Sequence, residues 1–321
     1  MWTLSDWTRH QATTRYFRHI VKWPISTTFR LISPVCLIFT LWSFLWIRYI
    51  LPNFFPKFLL PLSAVSLTSS AVALLLTLRT NQSLARLAEA REGLGTLVAH
   101  SRDTAAILNA YLPKSSAVLG CRPLSILGWV LKSQLRGESC TDVTEAMLGE
   151  GESEYVQGQR KKWTGLLRIV RMFVAEKARD GTLNNMAHGA ILDQISFLNL
   201  SIGRCERIFS SPTPPTYTRH TSRVLVLWLI LLPLGLSKVS LPVALIAQFL
   251  TSYVLLGIDE IGVELEQPFQ IIPLNSLCVA IMRDVADEVG EGGMPPLMRE
   301  VQEFDANNIN PLSGGPKSKK F

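Results

Sequence analysis

Ser66, Ser70, Leu74 and Leu78 recur every fourth residue within one apolar stretch, which sets them on a single helical face, and Arg79 follows directly. Hydroxyls on such a face can donate hydrogen bonds to a partly dehydrated anion. Leucines one and two turns further on can form a dry ring that gates by dewetting. The same serines, with Ser63 and Ser69, have a second reading: small residues let neighbouring helices approach closely. The residues alone leave both readings open. Arg79 is likewise double, either an attractor of anions or an interfacial anchor paired with a carboxylate.

Other chemistry finds little support. The histidines His10, His19, His100, His188 and His220 occur in no HExxH pattern and beside no paired cysteine. Gly149, Gly151 and Gly158 share a polar segment, but no lysine completes a phosphate loop. Cys36, Cys121, Cys140, Cys205 and Cys278 are odd in number and lack a CxxC pair, which argues against a disulfide framework or a structural zinc site. No apolar stretch carries an ionisable residue at mid-depth, as a membrane-embedded hydrolase or proton-coupled transporter would need. The reading is therefore not an enzyme, with no cofactor and no metal ligand set.

The elements that must position the serine–leucine face are membrane spans. Four apolar stretches, Leu31 to Ile47, Phe58 to Leu78, Val224 to Ser237 and Val239 to Ile258, approach the roughly 20 residues of a helical span. They form two hairpins around a long polar middle. The chain of 321 residues is 48% hydrophobic, carries a formal charge of +7 and has a mean hydropathy of +0.23. The charge need not signal nucleic acid, because the basic residues cluster at span ends: Arg9, Arg15, Arg18, Lys22 and Arg30 before the first, and Arg79, Arg86 and Arg91 after the second. The hairpin loops hold only Arg48 and Lys57, and Lys238, so both termini and the middle fall on the positive, cytosolic-equivalent side.

Residues 1–30, with Trp2, Trp7, Tyr16, Phe17 and Trp23 among basic residues, read as an interfacial amphipathic segment. No cleavable signal is expected, since the first apolar run continues as a full span. The expected order is then a hairpin over 31–79, a helical module over 80–219, a second hairpin over 220–262 and a C-terminal segment over 263–321. Within the module, helices are expected from Thr80 to Arg102, Thr104 to Leu112, Pro123 to Leu135, Trp163 to Lys177 and Asn184 to Phe209, with Leu148–Gln159 a loop. Ser210 to Thr216, SSPTPPT, breaks the last of them. No strand-like alternation persists, so the fold class is an all-α membrane protein. The GGPKSKKF tail reads as disordered, and Gln302 to Leu312 as a segment able to fold back as a cap.

Three strings, LRTNQSLARLAEAREGLG at 78–95, CERIFSSPTPPTYTRHTSRVLVLWLILLP at 205–233 and GIDEIGVELEQPFQIIPLNSLC at 257–278, together resemble the bestrophin family of anion channels, its plant and algal branch in particular. Their order and spacing match over about residues 5–290. The resemblance implies a homopentamer with four spans per subunit and a central pore passing chloride, and in some members bicarbonate. It further implies a hydrophobic neck on the second span, here Ser70, Leu74 and Leu78, with Ser66 and Arg79 at its mouth. Counting back from Tyr217-Thr218 as in the animal members reaches Ile195 as the inner aperture, a position that also reads as helix core.

Two departures from the family pattern follow. Leucines stand where phenylalanines are commonest in the neck, so the partial positive charge of aromatic edges is missing. The acidic run that forms a calcium clasp in animal members is replaced by Gln267-Pro268-Phe269-Gln270-Ile271-Ile272-Pro273. Asp259, Glu260, Glu264 and Glu266 stand upstream at other spacings, which argues against calcium and for pairing with basic residues of the middle module or a neighbouring subunit. A plastid thylakoid membrane is implied by the plant resemblance. The alternatives are a secondary anion carrier, for which Pro233 in the third span is the one sign, and a membrane-anchored scaffold.

Overall fold

The computed structural model describes residues 4–54 and 62–290, and among these every regular element is helical. The chain divides into two compact units. One comprises the residues up to Leu87 together with Pro212–Pro268, and the other Ala88–Ser211 together with the residues from Phe269 onward. The expected cap at Gln302–Leu312 and the tail beyond it lie outside the described residues.

In the first unit α1 (Leu4–Gln11) and α2 (Arg15–Lys22) precede a 3-10 turn and α3 (Thr27–Leu45). A π-helical segment, Trp46–Ile50, and α4 (Leu51–Phe54) continue α3. The expected loop at Arg48 is therefore helical. Pro52 cannot donate, and its ring crowds the carbonyl four residues back, that of Arg48; the widened turn relieves this while Leu51 N–H still reaches the Trp46 carbonyl. Helix α5 (Leu62–Tyr111) is continuous for 50 residues and merges the two helices expected on either side of Asp103. Pro113 then ends the run as expected. Helices α12 (Pro215–Leu236) and α13 (Leu241–Glu266) complete the unit.

Three helical segments are long and apolar enough to cross a membrane, Thr27–Phe54, Pro215–Leu236 and Leu241–Glu266. The remaining expected span is helical from Leu62 onward, its first residues lying outside the described ones. Apolar packing joins these helices: Phe39, Val72, Leu76, Leu225 and Leu229 form one cluster, and Val65, Leu232, Leu236 and Ala244 another. Indole donors tie backbones together between them, Trp228 to the Val65 carbonyl at 3.2 Å and Trp42 to that of Ile230 at 3.1 Å.

The second unit holds the rest of α5 with α6 (Lys114–Ser125), α7 (Leu127–Arg136), α8 (Thr141–Met147), α9 (Glu150–Gln157), α10 (Lys162–Arg179) and α11 (Asn185–Ser210). The short α14 (Pro268–Ile271) enters it, and α15 (Leu274–Val289) follows. The single helix expected over Pro123–Leu135 is two, broken at Ile126; Gly137, at φ +70, ends the second in the left-handed conformation that glycine adopts freely. The expected loop at Leu148–Gln159 is α9. Its Val156 is fully buried, and Ser153 and Gln157 both bond the Thr144 hydroxyl, at 3.2 and 2.8 Å, so burial overrides the polar composition. Asn184 caps α11 by accepting from Ala187 N–H at 2.7 Å.

The five cysteines are free and buried. Burial pushes the thiols of Cys121, Cys205 and Cys278 up to about 12, which keeps them protonated and unreactive.

One polar group organises this unit. Glu206 on α11 accepts from Lys161 Nζ at 2.6 Å, Trp163 Nε1 at 2.9 Å and Gln134 Nε2 at 2.8 Å. Burial alone would raise its carboxyl, but these hydrogen bonds and the Lys161 charge outweigh it and hold the group below its ordinary 4.5. A depressed carboxyl stabilises the fold above its ordinary pKa, and that contribution is lost as pH falls through the folded value. Thermal unfolding followed from pH 4.5 downward should therefore show a steeper loss of midpoint in the native protein than in Glu206→Gln. Equal slopes would show that Glu206 carries no such linkage.

Candidate functional site

Helix α5 has two faces. Buried positions recur at helical period: Val65, Val72, Leu76, Arg79, Ser83 and Leu87 in the first unit, then Ala90, Leu94, Leu97 and Ser101 in the second. The opposite face is open. Leu74, 59% exposed, lies at its middle, flanked by Ser70 and by Leu78, 45% exposed. Ser66 lies exposed one turn earlier. The four residues of the sequence expectation therefore share one accessible side, over about 18 Å of helix.

Leu67 and Asn81 were not singled out from sequence. They stand seven residues before and after Leu74, at the centre of the open face, and Leu67 is 78% exposed. The signal was available, since a heptad step on a helix keeps nearly the same side. Ala85 carries the open face onward toward the end of the first unit.

The hydroxyls on this face are occupied locally. Ser69 donates to the Ser66 carbonyl at 2.6 Å, Thr77 to that of Ala73 at 2.8 Å, and Ser70 to that of Leu67 at 3.3 Å. The Ser70 bond is long, so rotation of its hydroxyl toward a passing anion sacrifices little. Burial at Ser83 and exposure at Ser66 and Ser70 separate helix-packing serines from those left accessible.

Arg79 is not on the open face. It is 4% exposed and turned inward, where it pairs with Asp259 and Glu266 of α13 and bonds the Ser222 hydroxyl at 3.3 Å. The Glu266 carboxylate lies 3.6 Å from Arg79 Nε, while Arg86 Nε donates to the Glu266 backbone carbonyl at 3.2 Å. A Cβ at Gly262 would stand 3.8 Å from the Arg79 side chain, within ordinary contact. Of the two readings open for Arg79 the structure selects the paired anchor, which corrects its placement at the pore mouth. The carboxylates' partner is likewise corrected: Asp259 and Glu266 pair with an arginine of their own chain and unit.

Ile195 is 0% exposed and occupies the core position also open to it. The large apolar side chains that α11 leaves accessible are Met186, Phe197, Leu200 and Phe209. Phe197 stacks on His100 at 5.0 Å between ring centroids, and His100 Nδ1 bonds Gln194 Oε1 at 2.8 Å.

All three sequence strings meet in the first unit, at Arg79, Ser222 and Asp259, and the first two meet in the second. In the second, Glu89 pairs with Arg207, Glu92 with Arg204 at 2.9 Å, and Thr96 with Ser201 at 3.0 Å. A Cβ at Gly93 would stand 3.3 Å from Cys205 Sγ, so the glycine admits the close helix approach. Phe269 is fully buried, and Arg136 binds the carbonyls of Phe269 and Ile272 at 3.0 and 2.9 Å.

The profile of a family described as "Bacterial/Fungal Bestrophin protein" matches residues 6–287. The chain is similar to voltage-dependent chloride channel 2, chloroplastic, of Arabidopsis thaliana, 26% identical over 306 residues that cover 91% of this chain and 73% of that one. It is also similar to the voltage-dependent anion channel-forming protein YneE of Escherichia coli K12, 28% identical over 239 residues, 73% of this chain and 79% of that one. Among solved structures, a variant of a bacterial bestrophin homolog from Klebsiella pneumoniae superimposes with a TM-score of 0.76 at 26% identity, covering 81% of this chain and 99% of the other.

Removing one partner of a buried ion pair leaves an uncompensated charge and costs about 3–5 kcal/mol. Arg79→Gln should accordingly lower the thermal unfolding midpoint sharply, and Arg79→Gln with Asp259→Asn should recover part of the loss. A single variant as stable as the native protein would show that the pair holds nothing together.

Proposed function

The chain belongs to the bestrophin family, and we propose that it is an anion channel, a homopentamer of four-span subunits whose pore is lined by the open face of α5. The observation that carries this reading is that face itself. Over residues 65–78 one side of α5 is packed, while the other presents hydroxyls and leucines. The names of the chloroplast and bacterial relatives, chloride channel and anion channel-forming protein, support an anion as the permeant species.

The pore residues act through weak contacts. Ser66 and Ser70 replace part of an anion's hydration by hydroxyl donation, and Leu74 and Leu78 form a narrow dry ring that excludes fully hydrated ions. Leu67 and Asn81 extend the lining to either side. Arg79 contributes by fixing the helix, not by facing the ion. A second constriction on α11 falls to the accessible Phe197 and Leu200, in place of Ile195. Chloride and bicarbonate are the candidate ions. Engagement of Asp259 and Glu266 by Arg79 supports conduction without calcium. The thylakoid as its membrane rests on the chloroplast relatives alone. A carrier would show saturable coupled flux, and an anchoring scaffold none.

Leu74→Ala widens the ring. Single-channel conductance should rise, and permeability ratios between strongly and weakly hydrated anions should move toward unity. Unchanged conductance and ratios would remove Leu74 from the pore.

A further inference from the structure

Helices α1 and α2 have no buried residue, and α2 divides sharply into two sides. Tyr16, Phe17, Ile20 and Val21 make one side, with Phe17 and Val21 each about three-quarters exposed. Arg15, Arg18, His19 and Lys22 make the other. The 30 residues before the apolar run hold one acidic residue, Asp6.

The far end of α2 is tied to membrane helices. Trp23 Nε1 donates to the Tyr253 hydroxyl at 2.5 Å, and the Trp23 ring packs edge-on against Tyr253 and Phe29, with centroids 5.3 and 5.8 Å apart. Tyr253 and Phe29 belong to two of the candidate spans, Leu241–Glu266 and Thr27–Phe54. At the near end, Arg18 Nη2 donates to the Arg9 carbonyl at 3.0 Å and joins α2 to α1. The basic side is thus held within a few residues of the first span, beside an apolar side that the described residues leave exposed, with only the Arg15 guanidinium over the Tyr16 ring.

We infer that α2, with α1, docks on the anionic headgroups of the leaflet where the first span begins. The apolar side enters the acyl boundary and Arg15, Arg18, His19 and Lys22 contact lipid phosphates. Two features select lipid as the occupant: the excess of basic residues complements an anionic surface, and the segment is continuous with a span. Such docking concerns the membrane reading only and is independent of which ion, if any, the protein conducts.

The test uses the full chain in nanodiscs of phosphatidylcholine with or without phosphatidylglycerol. An environment-sensitive fluorophore is attached through Phe17→Cys or Arg18→Cys; the native cysteines are buried and do not compete. Emission at position 17 should shift to the blue when phosphatidylglycerol is present, and emission at 18 should not. Arg15→Gln with Lys22→Gln should abolish that dependence on lipid charge. A blue shift at 17 that ignores lipid composition would show that anionic headgroups do not hold the segment. No shift in either lipid would leave it in water. Either result overturns the inference, whether or not the protein carries current.

Discussion

An arginine at the end of a membrane-crossing run must be paired, because an isolated buried charge is far costlier than a paired one. Arg79 meets that requirement with Asp259 and Glu266 of α13 and with Ser222 of α12. The consequence is rotational. Once Arg79 faces α13, helix α5 has one allowed orientation about its axis, and Leu67, Ser70, Leu74 and Leu78 are left on the other side. The face assigned to the pore is open because the charge behind it is closed. Arginine suits this post: its fork reaches two carboxylates and a hydroxyl from one stem, which a lysine ammonium on a flexible chain would do less rigidly.

The same helix is fixed again in the second unit by different means. Exposed ion pairs such as Glu92 with Arg204 are individually weak. The firmer constraint is the close approach at Gly93 and Cys205. The leucines proposed to meet the ion stand where the family pattern most often has phenylalanine.

Much of this was readable in the sequence. Apolar length located three helices able to cross a membrane, the four-residue spacing placed Ser66, Ser70, Leu74 and Leu78 on one side, and Pro113 and SSPTPPT marked real helix ends. Failures had local physical causes. The stretch LGEGESEYVQGQ looked like a loop because its polar surface hides one buried valine, Val156. Arg48 looked like a loop residue because it follows the last residue of the first apolar run, whereas a π-helical turn before Pro52 carries the helix on. Arg79 and Ile195 show a deeper limit. A charged residue under a span and an apolar one on a helix each fit two environments, and only the partners, Asp259 on one hand and a closed core on the other, decide between them.

A pore built this way has no fixed charge at its ring. Selectivity must come from hydroxyls, helix backbone dipoles and the cost of dehydration, which favours weakly held monovalent anions and rapid exit. The most direct test is the reversal potential of the purified protein in a planar bilayer under a chloride gradient, with bicarbonate then replacing chloride on one side. The account predicts reversal near the chloride equilibrium potential, shifting on replacement by an amount that ranks the two anions. Reversal near the cation potential would contradict it.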